Sequence, residues 1–185
     1  MGRSRTTGRC HANGCMPDIH IRAAESTDAE ALHEIFNCPG VMANTMQLPW
    51  QSLEKRRAWL SGHLGAENHL LVAEIDGRVV GNLGLDLFRA IRRRHVASMG
   101  MSVHDDFQNR GVGNALLKAM IELADDWLGL ERIELEVFVD NVAAIHLYEK
   151  YGFTKEGVGR RFARRAGGFV DAYYMGRLRP PGTLR

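Results

Sequence analysis

The stretch Gln108-Asn109-Arg110-Gly111-Val112-Gly113 constrains this chain more than any other of its length. An alternating apolar run, Val96 to Val103, precedes it, and a helical run, Asn114-Ala115-Leu116-Leu117-Lys118-Ala119-Met120-Ile121, follows. A chain that turns from strand into helix leaves its first helical N–H groups without intrahelical acceptors, where the helix dipole adds partial positive charge. That is an anion site made of backbone. Gly111 and Gly113 carry no Cβ, so a phosphate can lie against the main chain, and Arg110 supplies a formal positive charge. The plainer alternative is a glycine pair that only eases the turn and lets the helix pack closely on a sheet. Two better-known phosphate loops are excluded. A Walker loop ends in Gly-Lys-Ser/Thr where this one reads Gly113-Asn114-Ala115, and the dinucleotide fingerprint needs a third spaced glycine.

Around this loop the chain alternates between the two backbone periods. Ile19-His20-Ile21-Arg22 reads as a half-buried strand; Thr27-Asp28-Ala29-Glu30 reads as a capping box opening a helix to about Asn37, which Pro39 and Gly40 end. Residues 40–51 read as a loop, and 52–61 as a second helix. Leu70 to Ile75 and Val79 to Leu87 are apolar strands joined by Asp76-Gly77, a tight hairpin turn. Arg92-Arg93-Arg94 falls on the next turn, as a solvated loop or a second phosphate contact. After the helix from Gly111 to about Trp127, Ile133, Leu135 and Val137 alternate with Glu134, Glu136 and Phe138; a further helix runs from Asp140-Asn141 to Lys150. Two last strands, 154–162 and 169–177, flank a basic turn. Meandering strand pairs followed by a βαβ crossover predict an α/β fold, a mixed sheet with helices on both faces.

At 185 residues the chain suits one domain with its own core. Residues 1–16, with Arg3, Arg5 and Arg9 among Gly, Ser and Thr, read as a disordered extension, 17–179 as the domain and 180–185 as a tail. Cys10, His11 and Cys15 lack the second pair that a tetrahedral metal site needs, so no metal is expected. A net charge of +2 calls for no nucleic acid, and no apolar run reaches the roughly 18 residues of a membrane span. Cys10, Cys15 and Cys38 make no disulfide framework, so a cytoplasmic location is expected.

Taken together, Val103, Gln108-Asn109-Arg110-Gly111-Val112-Gly113, the strand Glu134-Leu135-Glu136-Val137 and Asn141-Val142-Ala143-Ala144-Ile145-His146-Leu147-Tyr148-Glu149-Lys150-Tyr151-Gly152-Phe153 resemble the GCN5-related N-acetyltransferase (GNAT) superfamily. The first block resembles its acetyl-CoA loop, Gln/Arg-x-x-Gly-x-Gly/Ala, and the last its Asn-x-x-Ala-x-x-x-Tyr-x-x-x-Gly-Phe block. The resemblance runs from about Ile19 to Leu178, and its details look most like a bacterial branch that acetylates free amino acids or small amines. It implies a twisted, mostly antiparallel sheet of six to seven strands, splayed between the fourth and fifth. It also implies acetyl-CoA as co-substrate, a small-molecule amine as acceptor, and room for a homodimer built on the tail strands.

What the resemblance assigns follows residue by residue. The amides from about Arg110 through Gly111, Val112 and Gly113 to Asn114 hold the pyrophosphate, Gln108 and Asn109 belong to the same cofactor site, and the main chain of Ser102 and Val103 lies beside the pantetheine arm. Asn141, Ile145 and Tyr148 share a helix face at i, i+4, i+7, so Asn141 joins the cofactor groove and Tyr148 donates to the departing thiolate. A thiol of pKa about 8.5 leaving beside a phenol of pKa about 10 is a workable proton pair. Read without the resemblance, Tyr148 is a core aromatic and Asn141 an N-cap. Many members carry a basic glutamate on the strand before the loop, but here that strand, Val96-Ala97-Ser98-Met99-Gly100-Met101-Ser102-Val103, has no carboxylate. Glu136 is then the candidate base; Glu134 shares its strand face, so one of the two is an ordinary solvated or cross-strand pair, and His95 and His104 are further possibilities. For the acceptor, Trp50, Phe162 and Tyr173 are expected to form an apolar wall, with Arg160, Arg161, Arg164 and Arg165 beside it. Two other readings are a peptide acetyltransferase, which needs an open groove, and a CoA-binding sensor without catalysis.

Overall fold

The computed structural model describes residues 18–65 and 68–180, so the expectations for residues 1–16 and for all but Pro180 of the tail lie outside them. Seven strands form one sheet in the order β1-β2-β3-β4-β5-β7-β6. They are β1 His20–Ala23, β2 Asn68–Ile75, β3 Arg78–Leu87, β4 Val96–Val103, β5 Arg132–Phe138, β6 Thr154–Arg165 and β7 Gly168–Leu178. Asp76 and Gly77, both at positive φ (51° and 77°), make the tight β2–β3 turn that matches the twist of its strands. Every neighbouring pair is antiparallel except β4 and β5. Parallel strands need a crossover, and helix α4 (Val112–Glu122), prolonged by a π turn over Leu123–Trp127, supplies it.

β4 and β5 pair only where Val96, Ala97 and Ser98 meet Arg132, Ile133 and Glu134. Beyond Ser98, β4 runs on to Val103 paired with β3 alone, and the sheet opens as a V. Helices cover both faces. On one, Leu116, Leu117 and Met120 of α4 and Ile145 of α5 (Val142–Lys150) pack on Leu83, Leu85, Ile133 and Leu135. On the other, Leu32 and Ile35 of α1 (Ala29–Phe36) and Leu60 of α3 (Leu53–His63) pack on Leu70 and Val72.

Two local expectations are corrected. Residues 40–51 are not all loop, because α2 spans Pro39–Asn44. Pro39 ends α1 yet starts α2, since its fixed φ and missing N–H suit a first helical position. The α1 start is also displaced: a 3₁₀ turn over Ser26–Asp28 precedes it, and the Asp28 carboxylate accepts from the Glu25 amide at 2.8 Å. Burial pushes the Asp28 carboxyl up, but its two 2.7 Å bonds from Arg22 and the Glu25 amide outweigh that and hold it below its ordinary value. Arg22 also binds Glu74, which ties the start of α1 to β1 and β2.

Candidate active site

A single cavity of about 620 Å³ passes through the opening between β4 and β5. Ser102, Val103, Gln108, Asn109, Gly111, Val112, Gly113, Asn114, Glu136, Asn141 and Tyr148 all line it, so the structure brings the candidate residues together with one exception. Arg110 is exposed, with its guanidinium 5.1 Å from the Phe107 ring centroid, and does not belong to the wall.

The α4/α5 side of the cavity fits a phosphate-bearing chain. Gly111 has φ +87°, which a side chain would strain, and it delivers the chain into α4 with the first amides of the helix outward. A Cβ on Gly113 would sit 3.2 Å from Leu147 Cδ2 and 3.4 Å from Met101 Cε, inside the gap between α4 and β4. Lys150 Nζ bonds Asn114 Oδ1 at 2.8 Å and the Tyr151 hydroxyl donates to the Asn114 carbonyl at 3.1 Å, holding α4 and α5 together at this end. A backbone anion site, a channel kept clear by glycine and an unpaired strand edge are what a pyrophosphate with a peptide-like arm requires.

The edge of β4 corrects one expectation. His104 N donates to Val80 O, and Val96 O accepts from Phe88 N, so even-numbered residues of β4 turn their main-chain groups towards β3. Alternation then directs Met99, Met101 and Val103 to the opening. Val103 is on that edge, its carbonyl 3.3 Å from Gln108 Nε2, whereas Ser102 is paired with Asn82. Met101, not Ser102, is the second open-edge residue; Ser102 meets the cavity from the other face of the sheet.

Tyr148 is 7 % exposed, tilted against Phe153 at 5.8 Å between centroids. Burial pushes its phenol up to about 12, so it keeps its proton throughout the neutral range. Asn141 Oδ1 accepts from Ala144 N at 3.2 Å as the N-cap of α5, while the residue also stands on the cavity wall. Both readings of Asn141 are therefore compatible.

The face under α1 and α3 carries the second half of the cavity. Gly84 and Gly100 are cross-strand partners, and nothing lies within 4 Å of a Cβ built on Gly100. Two missing side chains side by side make the hollow. Phe36, Trp59 and Phe162 bound it, and Asn44, Thr45, Met46 and Gln47 cover it from α2 and the turn after it. Glu134 bonds Arg93 at 2.8 Å and Arg132 at 3.2 Å, whereas Glu136 lines the cavity. The structure thus separates two glutamates that alternation alone leaves equivalent.

Other acceptor-side expectations are corrected. Trp50 is 96 % exposed and away from the wall, and Tyr173 pairs with Val137, which puts it on the α4/α5 face under Lys155. Only Phe162 of that trio lines the cavity. None of the four arginines is in the wall: Arg165 binds the Asp140 carboxylate and the Ala43 carbonyl, Arg161 and Arg164 lie over Phe169 at 5.6 and 5.3 Å, and Arg160 is exposed. Among the described residues no arginine or lysine lines the cavity; its ionisable side chains are Asp86, Glu136, His63, His69 and Tyr148. His104 is buried outside it, its Nδ1 accepting from Asp106 N at 3.2 Å, and His95 is exposed elsewhere. Asn82, Gly84 and Asp86 on β3 carry no sequence signal of their place in the wall, because nothing local marks which face of a strand meets a cavity.

Residues 29–153 match the model of the acetyltransferase (GNAT) family. The chain is 48 % identical over 164 residues to the L-amino acid N-acetyltransferase AaaT of Escherichia coli, covering 89 % of this chain and all of that protein. It is 32 % identical over 129 residues to the N-alpha-acetyltransferase RimI of Mycobacterium tuberculosis, covering 70 % of this chain and 75 % of that one. A solved acetyltransferase of the GNAT family from Streptococcus pneumoniae superposes with a TM-score of 0.77 at 29 % identity, over 88 % of this chain and all of the other.

Proposed function

Because this chain belongs to the acetyltransferase (GNAT) family and moves the acetyl group of acetyl-CoA to an amine, we propose that its acceptor is the primary amine of a free amino acid or a closely similar small molecule. The 48 % identity to an L-amino acid N-acetyltransferase over that protein's whole length carries this reading. The shape of the acceptor side supports it. Asn44 to Gln47 roof a hollow bounded by Phe36, Trp59 and Phe162, which suits a small guest better than a peptide. An acceptor carboxylate would meet no arginine there. Its donors would be histidine and amide groups, among them Gln47, whose Oε1 is already occupied by Arg56 at 2.9 Å so that its NH₂ is the group left to donate. A cytoplasmic location belongs to the same reading; Cys38 is a buried free thiol, and no described helix is long and apolar enough to cross a membrane.

In this reading acetyl-CoA supplies an acyl thioester. The amides at the start of α4 hold its phosphates, and the Met101 and Val103 edge of β4 aligns its arm, so the carbonyl carbon reaches the opening. The neutral amine attacks that carbon directly, its nitrogen forming the new C–N bond as the C–S bond breaks. Glu136, or a water it holds, first takes a proton from the ammonium form to leave that neutral amine; the buried Tyr148 phenol then gives its proton to the departing thiolate, and the N–H proton lost as the amide forms replaces it. No cysteine acyl-enzyme is needed.

The test is a free-thiol release assay with acetyl-CoA against free amino acids, polyamines and short peptides. Amino acids are expected to give the highest kcat/KM; a preference for peptides would overturn the reading. With the preferred amine, Glu136→Gln is expected to lower kcat by about 100-fold. The deficit should be largest at the lowest pH, where the amine is most protonated, with KM for acetyl-CoA within about twofold of the parent. A pH profile parallel to the parent's would remove Glu136 as the base.

A further inference from the structure

Asn82 sits on β3 opposite Ser102 and Val72, 4 % exposed, and its side-chain Oδ1 is buried with no hydrogen-bond partner. A buried carbonyl oxygen left unpaired destabilises a fold, so such an atom is expected to meet a donor that enters later. Asn82 lines the cavity, and alternation puts its side chain on the same sheet face as Gly84, Gly100 and Ser102. That is the acceptor side, under α1 and α3, not the α4 side where the phosphate loop lies.

The register fixes what lies around it. Ser98 is level with Glu134 in the parallel pair, so two residues further Gly100 is level with Glu136 across the opening. Gly100 also faces Gly84, and Asn82–Ser102 is the next pair along on the same face, a diagonal neighbour at roughly 7–8 Å. The empty space over Gly100 is therefore bordered by a carboxylate on one side and by the Asn82 carboxamide on the other, whose unpaired oxygen is turned inward and comes to the cavity when the amide turns over. An ammonium or amine is the group whose several N–H bonds can serve both.

We infer that Asn82 holds the acceptor amine, its Oδ1 accepting one N–H while Glu136 faces another, so that the nitrogen lone pair is turned towards the opening where the thioester arrives. This deepens the reading above and rests on it in one respect, that the amine enters this cavity. It makes Asn82 a binding residue for the amine itself, indifferent to the rest of the acceptor. Ser102 on the neighbouring strand narrows the same corner.

The inference separates function from stability. Asn82→Leu keeps the volume and removes an oxygen that has no partner in the fold. The variant is expected to melt no lower than the parent while KM for the amine rises about tenfold or more and KM for acetyl-CoA stays within about twofold. Asn82→Asp, which keeps an acceptor oxygen in place, should restore the amine KM to within about threefold. Each is measured with whichever amine the parent turns over fastest. A parent that prefers polyamines while Asn82→Leu still raises the amine KM would sink the amino-acid reading and leave Asn82 in its role. An unchanged amine KM, a rise confined to acetyl-CoA, a lower melting temperature in Asn82→Leu, or a parent silent on every amine would each overturn the assignment.

Discussion

Tyr148→Phe is expected to lower kcat by about 100-fold or more while leaving KM for acetyl-CoA within about twofold. The phenol is buried on the face of α5 that meets the cavity, and burial pushes its pKa up to about 12. It is therefore a proton donor across the whole range in which an amine can be assayed, and no loss of activity below about pH 10 should trace to its ionisation. Phenylalanine keeps the ring against Phe153 and the packing of α5 on the core, so the melting temperature should move little. A variant with parental kcat on a good amine would show that the thiolate leaves without help from this group. A variant that lost acetyl-CoA affinity in step with kcat would make Tyr148 a wall residue and nothing more.

Asp125→Ala carries the largest expected cost in stability, about 3–5 kcal/mol. Asp125 and Arg177 are 8 % and 7 % exposed and form two parallel bonds of 2.8 and 2.7 Å. Removing the carboxylate strands a buried guanidinium, which costs more than the pair contributes over an apolar replacement. Thermal unfolding should shift down by roughly 6–20 °C for a chain of this size. The double change Asp125→Leu with Arg177→Met should recover much of that, because no unpaired charge is left behind; a double variant no better than Asp125→Ala would contradict this account. The pair also bears on the site. Arg177 on β7 bonds the Tyr151 carbonyl at the end of α5 at 3.2 Å, and Asp125 lies in the π turn that ends α4. One guanidinium thus ties together both helices that border the cofactor side, so Asp125→Ala is expected to raise KM for acetyl-CoA even below its melting temperature.

The strands and long helices were legible because each signal is local. Alternation of period two in Leu70 to Ile75, the Asp76-Gly77 turn and the glycine pair ahead of an apolar helix all specify backbone geometry within a few residues. Errors came where one local signal serves two purposes. Pro39 stops one helix and starts the next, and Asp28 caps a 3₁₀ turn while bonding an arginine from β1. The acceptor side is the part least legible in the sequence. Trp50, Tyr173 and the arginines near residue 165 had the right chemistry, but strand register and exposure decide which face a side chain joins, and register is set by pairings far apart in sequence.

The sequence by itself determined the order of the strands and long helices, the glycine turn into α4 and the helix face that presents Tyr148, because these follow from helix ends and periodicity. Only the tertiary structure decided that Glu136 and not Glu134 meets the cavity, that Met101 and not Ser102 lies on the open edge of β4, and that Gly84 and Gly100 leave a hollow beside Asn82. Each of those facts is a relation between strands. A residue carries no local mark of its cross-strand partner, and it is the parting of β4 from β5 after Ser98 that turns a row of ordinary side chains into a site.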